Sequence, residues 1–534
     1  MKHTTNFLTL MSIAPLVVLC PATAANSTTM DKPNIVFILA DDLGWSDTTL
    51  YGTTKFYEVP NIERLASRGM TFQNAYAANP LCSPTRASIM TGLYPGRIGI
   101  TTPCCHEPEV RLEEMMTKKA PAYEPALQMI SASRLRTNYY TLAEAFHEAG
   151  YVTGHFGKWH LGAEPYSPLQ HGFDVDVPHF SGPGPAGSYV APWQFPKKLD
   201  FIGQPGEHIE DRMTEEAIHF LKANQHHPFF LNYWAFSVHA PFDAKTNLIA
   251  KYRAKADPQD AQRCAVYGGM VQSLDENVGR LLDELDALKL TDRTIIVFFS
   301  DNGGNMYDRV DGIPPTSNRP LRGGKATIYE GGTREPCIVV WPGKVKSGSR
   351  SDAIFSSMDW FPTLLEMTQV KPQRAVKFDG VDQTPALLGS GTPRDSTVCY
   401  YPHYTPATGA HPAIFVRRGD WKLIRFYCDN RDQSDRFELY NLKTDLGETN
   451  NLASANPDLV RQLNSLIDDF HRETGALVPA KNPAFDPKAV VPLDKRKGRD
   501  TAAPQKSAAR DLRRELERES DAGTYSGSQL RPMP

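Results

Sequence analysis

The segment Pro33–Ala40, PNIVFILA, is a continuous apolar run, the pattern of a strand buried on both faces. In NIERLASRG the spacing changes. Ile62, Leu65 and Ala66 share a helical face, and Gly69 suits the stop. The alternation continues along the chain. Thr141–Ala149 predicts a helix with Leu142, Ala145, Phe146 and Ala149 on one side, ended by Gly150, and Tyr151–His155 predicts a strand. Asp211–Ala223 predicts a helix, and Phe229–Phe236 a strand. Tyr267–Leu288 has the longest helical period, with Met270, Val271, Leu274, Val278, Leu281, Leu282 and Leu285 in register, and the strand Thr294–Phe299 follows. Strands alternating with helices predict an α/β fold: a large mixed, mostly parallel sheet flanked by helices.

The pattern changes near Gly389. Ala413–Tyr427 reads as a β-hairpin turning at Gly419-Asp420, Phe437–Leu442 as a strand, and Leu459–Phe470 as one amphipathic helix. This predicts a smaller C-terminal α+β subdomain with an antiparallel sheet. The organisation that results is an α/β catalytic domain over 31–389, the subdomain over 390–480, and a surface strap with a mildly basic, disordered tail over 481–534. Residues 1–24 read as a secretory signal peptide. An apolar stretch, Phe7–Leu19, is interrupted by Pro15 and followed by the small residues Ala22-Thr23-Ala24. That predicts a periplasmic or secreted protein with no membrane span.

Composition narrows the partners. Of 534 residues, 40% are hydrophobic and 22% charged, and the formal net charge is -3, which gives no footprint for nucleic acid or an anionic membrane. Cys20 leaves with the signal peptide. The other seven cysteines are Cys82, Cys104, Cys105, Cys264, Cys337, Cys399 and Cys428, an odd number with no zinc spacing. A Cys399–Cys428 bridge stays open.

Chemistry collects at the predicted strand ends. Asp41-Asp42 follow the first strand and Asp301-Asn302-Gly303-Gly304 follow IIVFFS. In open α/β sheets, sites form outside the carboxyl ends of strands. Carboxylates side by side there repel unless a cation lies between them, and hard oxygen donors suit Ca²⁺ or Mg²⁺. Taken singly, each pair also reads as a turn cap. Lys158 and His160 lie two apart in YVTGHFGKWHLG, on one face if the segment is extended. His239 follows a fourth strand, and Lys325 follows two glycines in RGGKATIYEGG. Cys82 lies just before a predicted helix that Ser83 caps and Gly92 ends, with Arg86 in its first turn, a setting that favours a thiolate.

CSPTRASIMTG, at residues 82–92, resembles the signature of the type I sulfatases of the alkaline phosphatase superfamily: Cys, any residue, Pro, Ser or Thr, Arg, and Gly ten after the Cys. ADD, GKWHLG, HAP, SDNGG, GGKATIYEGGTREP, GDWKLI and ELYNLKTDLGETNNLA resemble further family elements in order, over roughly Pro33–Phe470. The tail beyond Val491 and the Cys104-Cys105-His106 stretch fall outside the shared pattern. The resemblance implies that a maturation enzyme oxidises Cys82 to formylglycine (3-oxoalanine), whose hydrate is the nucleophile. It implies one Ca²⁺ held by Asp41, Asp42, Asp301, Asn302 and position 82. It implies that Arg86, Lys158 and Lys325 neutralise sulfate, that His239 and Lys325 serve the leaving oxygen, and that His160 is the base that releases sulfate.

A phosphodiesterase or phosphonate monoester hydrolase, and a non-catalytic sulfoglycan-binding protein, are the alternatives. The catalytic set is undamaged, which speaks against the last. The substrate expected is a sulfated glycan or another small sulfate ester. His106, His155, Asp174, Arg322 and His403, polar and near motif elements, are the candidate sugar contacts.

Overall fold

A computed structural model of the chain describes Met1, residues 32–199 and residues 201–490. The predicted leader, apart from Met1, and the predicted tail beyond residue 490 lie outside the described residues. The main sheet contains β1 (Asn34–Ala40), β2 (Met70–Tyr76), β3 (Val152–Gly157), β4 (Val175–Val177), β5 (Phe229–Trp234), β6 (Thr294–Ser300), β7 (Cys337–Val340) and β8 (Ser349–Ser356). Their order is β8-β2-β7-β6-β1-β5-β3-β4. Only β7 runs antiparallel to its neighbours β2 and β6. The other pairings are parallel, so β1, β3, β5 and β6 all end on one edge of the sheet.

Side-chain alternation along β1 explains its unbroken apolar sequence. Val36, Ile38 and Ala40 pack towards α1 (Pro60–Arg68), α4 (Ile209–Ala223) and α5 (Ala265–Ala287). Ile35, Phe37 and Leu39 pack on the opposite face against α2 (Cys82–Thr91), α3 (Leu142–Glu148) and α6 (Trp360–Thr368). The helix starting at Leu142 is fixed by Thr141, whose hydroxyl accepts from the Glu144 backbone N–H at 3.2 Å while Glu144 accepts from the Thr141 N–H.

The second sheet is antiparallel, with β9 (Ser396–Tyr401), β10 (Ala413–Arg418), β11 (Trp421–Phe426) and β12 (Arg436–Asn441) in that order. The predicted hairpin turns at Gly419-Asp420, where Gly419 is left-handed. One face of this sheet takes Leu463, Ile467 and Phe470 of α7 (Pro457–Thr474). The other packs Phe415 and Ile424 against Ala326 and Ile328, so it holds the loop that carries Lys325. A buried ionic group lies beside that contact. Lys422 Nζ is 2.9 Å from Glu330 Oε1 and 2.9 Å from Glu448 Oε1. Glu330 Oε2 accepts from Arg334 Nε at 2.7 Å and from the Tyr76 hydroxyl at 2.8 Å. After α7, Ala480-Lys481 pairs with Ala126-Leu127, and Asn482 donates to the carbonyls of Pro121 and Glu124.

The seven cysteines of the described residues are all buried and free, and Cys399 and Cys428 form no bridge. No helix of the described residues is long and apolar enough to cross a membrane.

Candidate active site

The shared edge of β1, β3, β5 and β6 brings the predicted acids and bases together. Asp41 and Asp42 leave β1, Lys158 leaves β3, Asp301 and Asn302 leave β6, and all are buried. Lys158 Nζ lies 2.5 Å from Asp41 Oδ2, and Lys325 Nζ 2.7 Å from Asp42 Oδ2. Arg86 donates through Nε to Asp301 Oδ2 at 2.8 Å and places Nη2 2.7 Å from the same oxygen. Its Nη1 donates to the Lys158 carbonyl. Asn302 Nδ2 donates to Asp42 Oδ1 at 2.8 Å, and Asp301 Oδ1 accepts from the Asp42 backbone N–H at 3.2 Å.

Two buried oxygens stand apart. Asp41 Oδ1 and Asn302 Oδ1 have no hydrogen-bond partner among the described protein groups. Asp41, Asp42, Cys82 and His239 each present one ligating atom, all within 4.8 Å of one another. Unbonded buried carboxylate oxygens are costly, and a hard divalent cation satisfies them. The donor set fits such an ion through the carboxylates of Asp41 and Asp42, and Asn302, whose Nδ2 bonds Asp42 Oδ1, brings the second lone oxygen beside them.

Cys82 is the first residue of α2 rather than the residue before it. Ser83 does not cap the helix. Its hydroxyl donates to the His160 carbonyl at 2.7 Å. The thiolate expectation is corrected too. Burial pushes the Cys82 thiol up to about 12, although Lys158 and Lys325 oppose this. Arg86 is spent on Asp301, and the sulfur lies 3.9 Å from Asp42 Oδ1. An unmodified thiol here is a poor nucleophile.

Burial works against the charge of Asp42, but Lys325, with His239 and Lys158, still holds its carboxyl down at about 2. Burial and the neighbouring Asp41 raise Asp301 to about 6 against the pull of Arg86. Burial draws His239 down to about 3, with Lys325 adding to it. His239 Nδ1 lies 2.5 Å from the Ala240 carbonyl and donates to it, so Nε2 faces Asp42 Oδ2 at 3.8 Å. The backbone is left-handed at Asp42 (φ 62°), His160 (φ 56°) and Ala326 (φ 60°), next to Lys325. Such conformations cost of order 1–3 kcal/mol each and cluster at functional sites.

Lys158 and His160 reach the site differently from the extended-strand expectation. Lys158 is the first residue past β3, and the left-handed His160 turns its ring to His106, with Nε2 2.9 Å from His106 Nδ1. Of the candidate sugar contacts, His106 alone is brought to this group. His155 is buried among Trp159, Phe173 and Trp234, with Nδ1 on Asn232. Asp174 accepts from Thr153 at the opposite ends of β3 and β4. His403 is buried on Thr101, and Arg322 stacks on Tyr329 and donates to Tyr440 and the Glu448 carbonyl.

The structure also shows a support the sequence reading did not name. Glu210 Oε1 accepts from the Ser237 N–H at 2.7 Å, its Oε2 from the Tyr233 hydroxyl at 2.9 Å, and the Tyr189 hydroxyl donates to the His239 carbonyl at 2.9 Å. These bonds hold the His239 loop. Glu210 begins a helix beside Asp211, and nothing in IEDRM marks which acid turns inward.

Comparison with known proteins agrees with this geometry. Residues 33–370 match the Sulfatase family model, and residues 324–473 match that of the N-sulphoglucosamine sulphohydrolase C-terminal region. The N-acetylgalactosamine-6-sulfatase of Homo sapiens is 33% identical, covering 84% of this chain and 87% of its own. The N-acetylgalactosamine-6-O-sulfatase of Bacteroides thetaiotaomicron is 29% identical, covering 83% and 94%. The crystal structure of Ps i-CgsB in complex with k-i-k-neocarrahexaose superposes with a TM-score of 0.67 at 25% identity, covering 90% of this chain and 99% of that one. With one family model spanning most of the chain and the acids, lysines and Cys82 assembled at one sheet edge, the chain belongs to the sulfatase family, whose activity is hydrolysis of sulfuric esters.

Proposed function

We propose that this enzyme removes sulfate from sulfated carbohydrates outside the cytoplasm, using a formylglycine made from Cys82 and a bound Ca²⁺. The observation that carries the metal reading is the pair of buried, unbonded oxygens, Asp41 Oδ1 and Asn302 Oδ1, the first in the group of ligating atoms from Asp41, Asp42, Cys82 and His239 and the second bonded to that group through Asp42. The carbohydrate reading is supported by the sugar sulfates named for its relatives in Homo sapiens and Bacteroides thetaiotaomicron. Export rests on the leader-like segment at residues 1–24.

Asp41, Asp42, Asp301, Asn302 and position 82 would hold the cation, which supplies a Lewis acid beside the nucleophile and the sulfate oxygens. Formylglycine supplies, as its hydrate, two hydroxyls where the buried thiol offers little nucleophilicity. The rest is done by the chain. Asp41, Asp42 and Asp301 are balanced by Lys158, Lys325 and Arg86, so a divalent cation leaves the site net positive, complementary to a sulfate anion. Lys325 Nζ carries a proton at the Asp42 side of the cluster. Beside it, His239 is held by the Nδ1–Ala240 bond with a lone pair on Nε2, so it can accept a hydrogen bond at the departing alcohol while Lys325 supplies the proton. His160 is a neutral imidazole, because burial and then Lys158 draw it well below its ordinary range, and it serves as the base of the release step.

The test is turnover of a panel of defined sulfated sugars, 6-O-sulfated N-acetylgalactosamine among them, by protein produced with the maturing enzyme. Each assay is run before and after chelation and after adding back Ca²⁺. Release of sulfate that chelation abolishes and Ca²⁺ restores is expected. Undiminished turnover in metal-free protein, or hydrolysis of phosphodiesters in preference to every sulfate, overturns the proposal.

A further inference from the structure

His160 is held by an unusual partner. Catalytic histidines are commonly oriented by a carboxylate or a backbone carbonyl on the second ring nitrogen. Here Nε2 of His160 lies 2.9 Å from Nδ1 of another imidazole, His106, and among the described residues no carboxylate bonds either ring. His160 Nδ1 is buried and has no partner among the described protein groups.

The pair is built rather than incidental. The buried Arg134 donates through Nη1 to the Cys105 carbonyl at 3.1 Å and through Nη2 to the Glu107 carbonyl at 2.5 Å, clamping the backbone on both sides of His106. The His160 backbone is left-handed, and its carbonyl is held by the Ser83 hydroxyl, one residue from position 82. Both rings are thus fixed from their own backbones.

A single hydrogen occupies the bond between two neutral imidazoles, and its side decides the chemistry. If His160 donates from Nε2, its Nδ1 keeps a lone pair and can act as a base. If His106 donates, His160 must carry its hydrogen on Nδ1 and cannot. We infer that His106 is the positioning residue that accepts from His160 Nε2 and keeps the Nδ1 lone pair of His160 free. The inference rests on the reading of His160 as the base of sulfate release, and it gives a function to a stretch, Cys104-Cys105-His106, that none of the motifs quoted above includes.

A pH dependence follows from the geometry. His106 is exposed while His160 is buried, so His106 meets solvent protons first. Protonated His106 offers an N–H at Nδ1 instead of a lone pair, which forces the hydrogen of His160 onto Nδ1. Burial lowers the His106 value below 6.5, Glu107 raises it, and Lys158 and Arg134 lower it. Around His160, Lys158, His106, Arg86 and His239 all disfavour a second positive charge. Activity therefore declines on the acid side as His106 titrates.

The test uses full-length enzyme labelled with ¹⁵N-histidine, together with His106→Ala and His106→Asn, assayed on the best-cleaved sugar sulfate. The wild type is expected to show an unprotonated Nδ1 on His160. His106→Ala should lower kcat at least ~10-fold, part of the ~10²–10⁴ a positioned base supplies, with little change in KM. His106→Asn, whose side-chain oxygen can accept in place of Nδ1, should restore most of kcat and remove the acid limb. Hydrogen on Nδ1 in the wild type, or unchanged kcat and acid limb in His106→Ala, overturns the assignment. Full activity of His160→Ala overturns the reading beneath it, and the nitrogen shifts, which need no turnover, tell the two failures apart.

Discussion

Two of the buried ionic groups among the described residues are built to opposite ends. Between the two sheets, Lys422 touches Glu330 and Glu448, and the second oxygen of Glu330 is taken by Arg334 and Tyr76. Both oxygens of Glu330 are bonded by neighbours, and the group joins two parts of the fold. At the main sheet edge, Asp41, Asp42 and Asp301 each meet a cation too, yet Asp41 Oδ1 and Asn302 Oδ1 are left over and three nearby residues hold left-handed backbone. In the cluster that serves stability even Glu448 Oε1, which makes no hydrogen bond, lies 2.9 Å from Lys422 Nζ, whereas Asp41 Oδ1 lies 3.7 Å from Arg86 Nη2. The one that serves chemistry keeps unsatisfied atoms and strain, held in place by the surrounding fold.

Substitution separates the two most sharply. Cys82→Ala removes the proposed nucleophile and should lower kcat by ~10⁴ or more, while its melting temperature stays near that of the wild type. A comparable loss of both activity and stability would mean that position 82 is also a structural keystone. Lys422→Met should do the reverse. It leaves Glu330 and Glu448 buried without their shared cation and should cost about 3–5 kcal/mol in denaturant unfolding. The folded fraction should keep its kcat; a large fall in kcat would show that the interface group tunes the Lys325 loop.

The smallest effect concerns Glu210, beside the site. Burial raises its carboxyl from 4.5 to about 7, against the bonds from Tyr233 and Ser237. Between these values the native protein keeps a proton that the unfolded chain releases, so this group lowers stability as pH rises through that window. Glu210→Gln should flatten that slope, with a melting shift of roughly 2 °C between its ends. An unchanged slope would show that another group sets it.

The same contrast marks what could be read from the sequence. Strands buried on both faces, such as NIVFILA and TIIVFFS, announce themselves by unbroken apolar runs. The acids after them were legible because strand ends in α/β sheets are where sites form. β8 was not legible: SRSDAIFS is half exposed, and only its last four residues are fully buried. Pairings made by tertiary structure left no local mark either. Nothing in TTPCCHEPEV places His106 against His160, because the contact joins residues 54 apart through a loop clamp. His155 and His403 show the converse, since a polar residue near a motif is as easily a core residue with one hydrogen bond.

The one-to-one matching of acids and bases at the sheet edge also constrains how this enzyme can change over evolutionary time. Replacing any one of Asp41, Asp42, Asp301, Lys158, Lys325 or Arg86 strands its partner as a lone charge away from water, a cost of several kcal/mol that a marginally stable fold seldom survives. Single steps away from this chemistry are thus selected against twice, once for activity and once for folding. Change is least costly away from these six residues, where no buried charge is left without its partner.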